Sequence, residues 1–399
     1  MGASGTALLG FPSILKAQSP PTLKIGVLSA LTGEYSDAAG SVQSAQMAAE
    51  DFARDKKPDF KIEILAGDML DKPDIGIGVA RTWFDRSDVD AVIDVPNSAV
   101  ALGLATMVKD KNKVAMFTGP GTAALTGKAC GPNHVHWDYD TWSTAKATAA
   151  ALMAEGADSW FFITADYAFG HAFENDTTEF VKQGGGKVLG SVAFPFPETS
   201  DFSSYLLQAQ ASGAKIVALC MSGGNLVNCI KQAHEFGLVK GGQRIAGLGV
   251  LLTLIHALGL EDGQGLTYCD SFYWDRTEAT RAFAKRFAPR FRNFMPNMLH
   301  AGAYSAATHY MEAVQALGIE KARDGRAAVE QMKSMPITDP MFSNASLRRD
   351  GRMICDMFLQ RVKAPAQSRY PWDYTTILST IPAKDAFRPI GSGGCALYT

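Results

Sequence analysis

The stretch that decides the fold is KIGVLSALTGEYSDAAG, residues 24–40. It begins as an apolar strand, breaks into a turn of glycine and small hydroxyl residues, and continues into a helical pattern. In the following SVQSAQMAAEDFAR, residues 41–54, apolar positions recur at spacings of three and four. That spacing predicts one apolar helix stripe facing a sheet, so the opening unit is a strand followed by a helix that packs on it.

The same alternation continues along most of the chain. Because parallel strands must be joined by crossover segments, it predicts mostly parallel sheets with helices on both faces, an α/β fold. The predicted strands, each rich in β-branched or aromatic residues, are 22–28, 60–67, 89–95, 113–119, 159–165, 187–194, 215–221, 244–252 and 265–274.

Two turn-rich aromatic segments interrupt the alternation, CGPNHVHWDYDTW at 130–142 and DSFYWDRTE at 270–278. Such breaks are typical of passages between domains. A further strand pattern at 351–363 stands far from the other strands in sequence. We therefore expect two Rossmann-like lobes joined by three hinge crossovers. The expected divisions are 1–22 for a leader, 23–138 plus 275–347 for lobe 1, and 139–274 plus 348–399 for lobe 2.

Composition narrows the classes of partner. The chain has 399 residues, of which 47% are hydrophobic and 20% charged, and its formal net charge is −2. This is ordinary globular composition, with enough chain for two cores. Without a basic excess or a cluster of Lys and Arg, a nucleic-acid partner is not expected.

The first residues have the pattern of an export signal. In TALLGFPSILKAQSP, residues 6–20, a short apolar run is followed by Ala17 and Gln18, where a signal peptidase could cut. The run is too short to cross a bilayer. We interpret residues 1–22 as a signal remnant and leader and expect a periplasmic, exported protein; the alternative is a disordered tail.

The six cysteines fit an oxidising compartment without requiring one. They form neither a CxxC pair nor a Cys/His pattern with zinc spacing, so we expect neither a metal site nor a cofactor. Cys395 lies in a glycine-rich tail that would need a covalent link to be held against the fold, and Cys130 lies in a turn. A disulfide between these two residues is a hypothesis, and the pairing of the other four cysteines stays open.

Lobe 1 carries polar residues where its strands end. In parallel α/β sheets, ligands bind outside the carboxyl ends of the strands. Small hydroxyl residues and glycines at helix starts leave backbone N–H groups free, which favours an anion such as a carboxylate. The alternative is that the hydroxyl residues are ordinary helix caps. The candidate ligand-binding residues in this lobe are Tyr35, Asn97, Ser98, Gly119, Gly121 and Thr122.

Lobe 2 and the passages between the lobes supply rings and apolar side chains instead. Aromatic residues at strand ends and hinges can form the walls of a slot for a ring-shaped ligand. The alternative for each is a packing role, because aromatic residues dominate cores as readily as sites. The candidates here are Trp137, Tyr167, Phe169, Asn225, Leu252 and Tyr273.

Five segments in order resemble one known family: LKIGVLSALTGEYSDAAG, VPNSAVAL, TADYAFG, TSDFSSYLLQAQASGAK and HAGAYSAATHYMEAV. The chain is similar over residues 23 to about 390 to the periplasmic solute-binding proteins of ABC importers, in the branched-chain amino-acid (Leu/Ile/Val) receptor family. The resemblance implies a type I periplasmic binding fold and a ligand held in the cleft between two lobes. It also implies a membrane permease with ATPase subunits as partners. We expect a monomer.

The resemblance also suggests roles for particular residues. Asn97 and Ser98 match the family's first carboxylate-binding loop, Thr122 lies nearest the hydroxyl of the second, and Tyr167 and Phe169 match the loop that places an aromatic ring over the ligand. Amino-acid receptors of this family hold the ligand's ammonium with an acidic residue on a lobe 2 strand end. The corresponding segment here, 251–254, is Leu-Leu-Thr-Leu.

A buried ammonium without a counter-charge is costly, so this departure favours the branch of the family that binds aromatic carboxylates such as benzoate or phenylpropenoid acids. The alternatives are binding of a branched-chain amino acid or of another small amide or amino acid by the same fold, and ligand sensing without transport. The sequence holds no GxSxG elbow, HExxH helix or phosphate loop, so we expect binding without catalysis.

Overall fold

The structure is a computed structural model that describes residues 19–398. Most of the predicted leader therefore lies outside the described residues. The strands are β1 (Thr22–Ser29), β2 (Lys61–Asp68), β3 (Ala91–Asp94), β4 (Val114–Phe117), β5 (His134–His136), β6 (Ser159–Ala165), β7 (Lys187–Phe194), β8 (Ile216–Cys220), β9 (Arg244–Gly247), β10 (Thr267–Asp270), β11 (Ser346–Leu347), β12 (Met353–Ile354), β13 (Met357–Val362) and β14 (Thr375–Ile381).

Helices connect most of these strands. They are α1 (Ser41–Lys56), α2 (Pro73–Arg86), α3 (Ser98–Lys111), α4 (Thr141–Ala154), α5 (Ala168–Gln183), α6 (Ser203–Ala211), α7 (Gly223–Glu235), α8 (Leu252–Leu258), α9 (Leu260–Gly263), α10 (Glu278–Phe287), α11 (Met298–Leu317), α12 (Ile319–Ala322), α13 (Gly325–Ser334) and α14 (Ala383–Ala386). None of the helices within residues 19–398 is both long and apolar enough to cross a membrane.

The first sheet has five parallel strands in the order β2-β1-β3-β4-β5. Its central strands are buried on both faces because helices cover the sheet from both sides. Ile25 and Val27 of β1 belong to one hydrophobic cluster, while Leu28 belongs to a second. Since side chains alternate across a strand, this sheet separates two layers of core.

The second sheet is also parallel, with four strands in the order β7-β6-β8-β9. A third sheet, β10-β13-β14, is antiparallel. Two parallel sheets, each alternating with helices, make the type I periplasmic binding fold. The predicted α/β class is confirmed, and the residue numbers of the lobe boundaries stay a prediction.

Two local predictions are corrected. The segment 130–142 was expected to be a turn-rich passage, yet it contains β5, which pairs with β4. The strand expected over 244–252 ends at Gly247, and helix α8 begins at Leu252. Short strands buried at a sheet end carry too few residues for a period to show, and a continuous apolar run fits a buried strand or helix equally well.

The C-terminal tail is covalently linked to the segment that precedes β5 of the first sheet. A disulfide joins Cys130 to Cys395, the pair that the sequence suggests, with Cα atoms 5.6 Å apart. The remaining four cysteines are free and buried. They are Cys220, Cys229, Cys269 and Cys355.

Candidate functional site

A cavity lies where the carboxyl ends of the two parallel sheets face each other. The space between the lining atoms, which includes the opening of the cavity to solvent, is about 480 Å³. Segments that follow β1, β3, β4 and β5 form one wall, and segments that follow β6, β8 and β9 form the other, with the start of α11 beside them. The lining residues are Tyr35, Asp37, Pro96, Gly119, Tyr139, Phe169, Ser222, Gly223, Leu248, Gly249, Leu251, Leu254, Met298 and Leu299.

Three of the predicted residues, Tyr35, Gly119 and Phe169, line this cavity. Gly121 lies against the Phe169 ring, since a Cβ atom at position 121 would come within 2.6 Å of that ring. The absence of a side chain at position 121 therefore lets this ring reach the wall of the cavity.

The predicted anion loops lie beside the cavity, and their polar groups already have protein partners. The Asn97 side chain accepts from the backbone N–H groups of Ala99 (2.9 Å) and Val100 (3.2 Å), which makes it the cap of α3. The Ser98 hydroxyl accepts from the backbone N–H of Thr122 at 3.3 Å. The Thr122 hydroxyl accepts from its own helical turn. In this structure these residues act as caps and loop ties.

Tyr167 lies at a ring cluster that joins the two walls instead of in the lining. Its ring stacks on Phe196 with centroids 4.2 Å apart, and Tyr35 stacks on the same Phe196 at 5.6 Å. The hydroxyl groups of Tyr35 and Tyr167 are hydrogen-bonded to each other. Because Tyr35 follows β1 and Tyr167 follows β6, this cluster holds the two walls together on one side of the cavity.

The other predicted aromatic and apolar residues pack elsewhere. Trp137 is fully buried and donates its ring N–H to the Ser305 hydroxyl at 3.1 Å. Leu252 and Tyr273 form a small cluster with Trp372. Their positions at strand ends were visible in the sequence, but the direction of each side chain depends on packing.

Asn225 takes part in a contact between the walls that the sequence did not suggest. Its backbone N–H donates to the Glu34 carboxylate at 2.7 Å, and the Gly224 N–H donates to the Glu34 backbone carbonyl at 3.3 Å. Glu34 follows β1, so its carboxylate sits at the N-terminus of α7, where a negative charge is favourable. Burial raises the pKa of Glu34, and the backbone hydrogen bonds oppose that rise.

Asp37 is the second residue that the sequence reasoning missed. The segment Leu251–Leu254 brings no carboxylate to the cavity, but Asp37 does so from the opposite wall. Burial raises the pKa of Asp37, while the nearby Thr253 side chain and the positive charge of Arg292 oppose that rise. Asp37 stands in the opening stretch GEYSDAAG, and only its position in the fold marks it as a lining residue.

A buried polar cluster lies below the cavity. Asp94 is fully buried at the end of β3, and desolvation raises its pKa to about 7. The fully buried Arg352 donates to the Tyr139 carbonyl at 3.0 Å and lies 3.5 Å from the Asp140 carboxylate. Asp138 is fully buried beside Gly302, where a Cβ atom would overlap its carboxylate. Of these groups, Arg352 holds the backbone of the lining Tyr139 directly through its carbonyl oxygen.

The fold and the cavity define a class of protein that binds a small solute between two facing walls. Comparison with known proteins agrees: the periplasmic binding protein family matches residues 22–368. The chain belongs to this family, and it is a periplasmic solute-binding component of an ABC transporter, as the sequence predicts. The family consists of transport binding proteins. The search of curated proteins finds no match.

Solved structures of similar proteins point the same way. A periplasmic binding protein from Burkholderia mallei is 42% identical, with 95% of this chain and 99% of that chain covered and a TM-score of 0.90. A branched-chain amino acid ABC transporter periplasmic ligand-binding protein from Burkholderia xenovorans is 37% identical, with 94% and 99% covered and a TM-score of 0.81. A solute-binding protein from R. palustris in complex with benzoate is 18% identical, with 94% and 99% covered and a TM-score of 0.80, which shows likeness of fold alone.

Proposed function

We propose that this protein captures a small aromatic carboxylate in the cavity between its two walls and delivers it to an ABC permease. The observation that carries the proposal is the chemistry of the lining. The rings of Tyr35, Tyr139 and Phe169 offer flat apolar surface, and Ser222 adds a hydroxyl-bearing residue to the lining. Such a mixture suits a flat ring that carries one polar group.

The mechanism follows from contacts that exist only when the walls meet. A ligand that touches both walls favours the closed form, because its contacts with the second wall are absent in the open form. The permease then recognises the closed protein and receives the ligand as it opens. No step of this cycle changes a covalent bond.

Binding of an amino acid is the second candidate, and two observations favour it. Asp37 in the lining is a carboxylate that could face an ammonium, and the Burkholderia xenovorans relative is described as the periplasmic ligand-binding protein of a branched chain amino acid ABC transporter. Ligand sensing without transport would use the same cavity with a different partner.

Thermal unfolding with a panel of solutes separates the candidates. A ligand at one hundred times its dissociation constant adds about 2.7 kcal/mol of stability, which raises the melting temperature visibly. We expect stabilisation by benzoate or a substituted benzoate and none by leucine or valine. The reverse result would replace the aromatic carboxylate by an amino acid as the ligand.

A pair of variants tests whether the lining contributes as proposed. Phe169→Leu should weaken binding of the aromatic ligand, because a flat ring contact is lost. Phe180→Leu, on the same helix but away from the cavity, is the matched control and should leave affinity unchanged. Equal affinities of both variants would remove the Phe169 ring from the proposed site.

A further inference from the structure

The two walls also meet at a second place, at the far edge of the second sheet. Tyr167 and Phe196 follow β6 and β7 at one edge of that sheet, whereas α8 follows β9 at the other edge. On α8, the His256 ring lies against the Phe294 ring with centroids 5.1 Å apart. Phe294 lies in the segment between α10 and α11, so the attachment of that segment decides which parts of the fold this contact joins.

The segment before α11 is attached to the wall of the first sheet. Helix α11 packs along α1, which follows β1. The Phe291 ring packs on the His300 ring with centroids 5.5 Å apart, and the backbone N–H of Phe294 donates to the Phe291 carbonyl at 2.9 Å. The His300 ring nitrogen lies 2.8 Å from the carbonyl oxygen of Asp37, which follows β1. The contact between Phe294 and His256 therefore joins the two walls.

Trp372, from the loop between β13 and β14, packs on both of these rings. Its ring stacks face to face on His256, with centroids 4.1 Å apart and planes inclined by 13°. It also meets the Phe294 ring, with centroids 5.3 Å apart, and Trp372 is only 6% exposed. Aromatic pairs at such distances stabilise a contact beyond the area that they bury. One side chain therefore contacts both walls.

The backbone at Trp372 is strained, and neighbouring residues hold it in place. Its φ is 67°, a left-handed conformation that bulky side chains rarely adopt. The Trp274 ring N–H donates to the Trp372 carbonyl at 3.2 Å. The next residue, Asp373, forms an ion pair with Lys363 at the other end of the loop. Trp274 lies between β10 and α10, so the loop is anchored beside a segment that the sequence predicts to pass between the lobes.

A buried hydrogen bond crosses the same edge. The Asn297 side-chain amide, at the start of α11, donates to the Thr253 hydroxyl of α8 at 3.2 Å, and each residue is only 1% exposed. A buried polar group that loses its partner is destabilised by its own desolvation until water reaches it. Separation of the walls at this edge must therefore break the ring contacts of Phe294 together with this hydrogen bond.

We propose that Trp372 is a clasp that holds the two walls closed at the α8 edge, by packing on His256 of one wall and on Phe294 of the other. When the walls separate, Trp372 keeps His256 and loses Phe294. The clasp acts without a bound solute, so it populates the closed form in advance. The apparent dissociation constant is the intrinsic one divided by the closed fraction, so the clasp strengthens binding without touching the ligand.

The experiment measures closure in the absence of solute. Spin labels at Lys61→Cys of β2 and Lys187→Cys of β7 report the distance between the parallel sheets by pulsed electron paramagnetic resonance. The native protein should populate the closed form. Trp372→Leu and Phe294→Leu should each raise the ratio of open to closed protein roughly three- to tenfold, since each removes an aromatic ring from the contact. The double variant should raise it by less than the product of the single effects, because the two rings share one contact.

The matched control is Phe60→Leu, which removes a buried ring that packs on Phe52 within the first wall, with centroids 6.3 Å apart. It should lower stability in urea and leave the distance distribution as it is in the native protein. Trp372→Phe keeps a ring at the contact and should restore most of the closed population. Circular dichroism confirms that each variant is folded, and Phe294→Leu carries the test if Trp372→Leu does not fold.

Two results would overturn the clasp. One is a native protein that is fully open without solute, and the other is an unchanged ratio of open to closed protein in the leucine variants. Single effects that multiply in full would remove the direct contact between the two rings. The inference rests on the proposed capture between two walls but not on the class of solute. Failure of every aryl carboxylate to bind would therefore overturn the proposed ligand and leave the clasp standing.

Discussion

The contact between Glu34 and the start of α7 predicts that closure depends on one charge. In Glu34→Gln the side chain keeps its size and can still accept from the Asn225 N–H, now as a neutral group. Hydrogen bonds to charged groups contribute about 1.5–3 kcal/mol and neutral ones about 0.5–1.5 kcal/mol, so the closed form loses roughly 1 kcal/mol. The ratio of closed to open protein should therefore fall about fivefold.

Two measurements check this value. Spin labels at Lys61→Cys and Lys187→Cys, on exposed ends of β2 and β7, report the distance between the two parallel sheets by pulsed electron paramagnetic resonance. The open population should grow in Glu34→Gln. The dissociation constant of a bound aryl carboxylate should rise by up to the same factor, since the apparent value equals the intrinsic one divided by the closed fraction.

The matched control is Glu63→Gln, which removes an exposed glutamate on β2 far from α7. It should leave both the distance distribution and the affinity as they are in the native protein. Unchanged populations together with an unchanged dissociation constant in Glu34→Gln would refute the reasoning, since the carboxylate would then contribute nothing to closure.

Three further predictions concern stability. Gly302→Ala places a methyl group on the buried Asp138 carboxylate, and overpacking of this kind costs about 1–3 kcal/mol of folding stability. The control Gly78→Ala meets open space and should be neutral or stabilising. Urea titrations that gave both variants equal stability would contradict this prediction. Replacing Cys130 and Cys395 together by serine should remove about 2–5 kcal/mol, and reductant should lower the melting temperature of the native protein but not of the double variant. In the folded protein the pKa of Asp94 is about 7, above its ordinary value, so between about pH 4 and pH 7 the folded state holds a proton that the unfolded state has lost. The contribution of this proton to the free energy of unfolding is present below that pH range. It is lost as the pH rises through the range, by up to about 1.4 kcal/mol per pH unit. Asp94→Asn should flatten the fall of stability between about pH 4 and pH 7 in denaturant titrations, and an unchanged slope would count against the shifted pKa.

Much of the architecture was predictable because it depends on local patterns. The segments 159–165 and 187–194 are strands over those same residues, since each combines β-branched or aromatic residues with a clear boundary. The strand expected over 244–252 was half wrong, because residues 248–251 form an irregular segment after Gly247 and only Leu252 of the predicted strand belongs to helix α8. The strand β5 was missed because three residues show no period.

The candidate site was predictable in its location but not in its members. The rule that ligands bind at the carboxyl ends of parallel strands led to Tyr35, Gly119 and Phe169, which line the cavity. The same rule selected Trp137 and Tyr273, which pack away from it. The end of a strand determines the position of a residue's backbone, while the direction of its side chain depends on neighbours that are distant in sequence.

By itself, the sequence determined that strands and helices alternate and that mostly parallel sheets form, because periodicity and turn residues act over a few positions. The family was indicated by the resemblance of five segments. Only the tertiary structure decided that Glu34 reaches the start of α7 and that Asp37 lines the cavity. Glu34 and its partner Asn225 lie 191 residues apart in the chain. Their meeting depends on how the two walls fold together, and no local pattern records that arrangement.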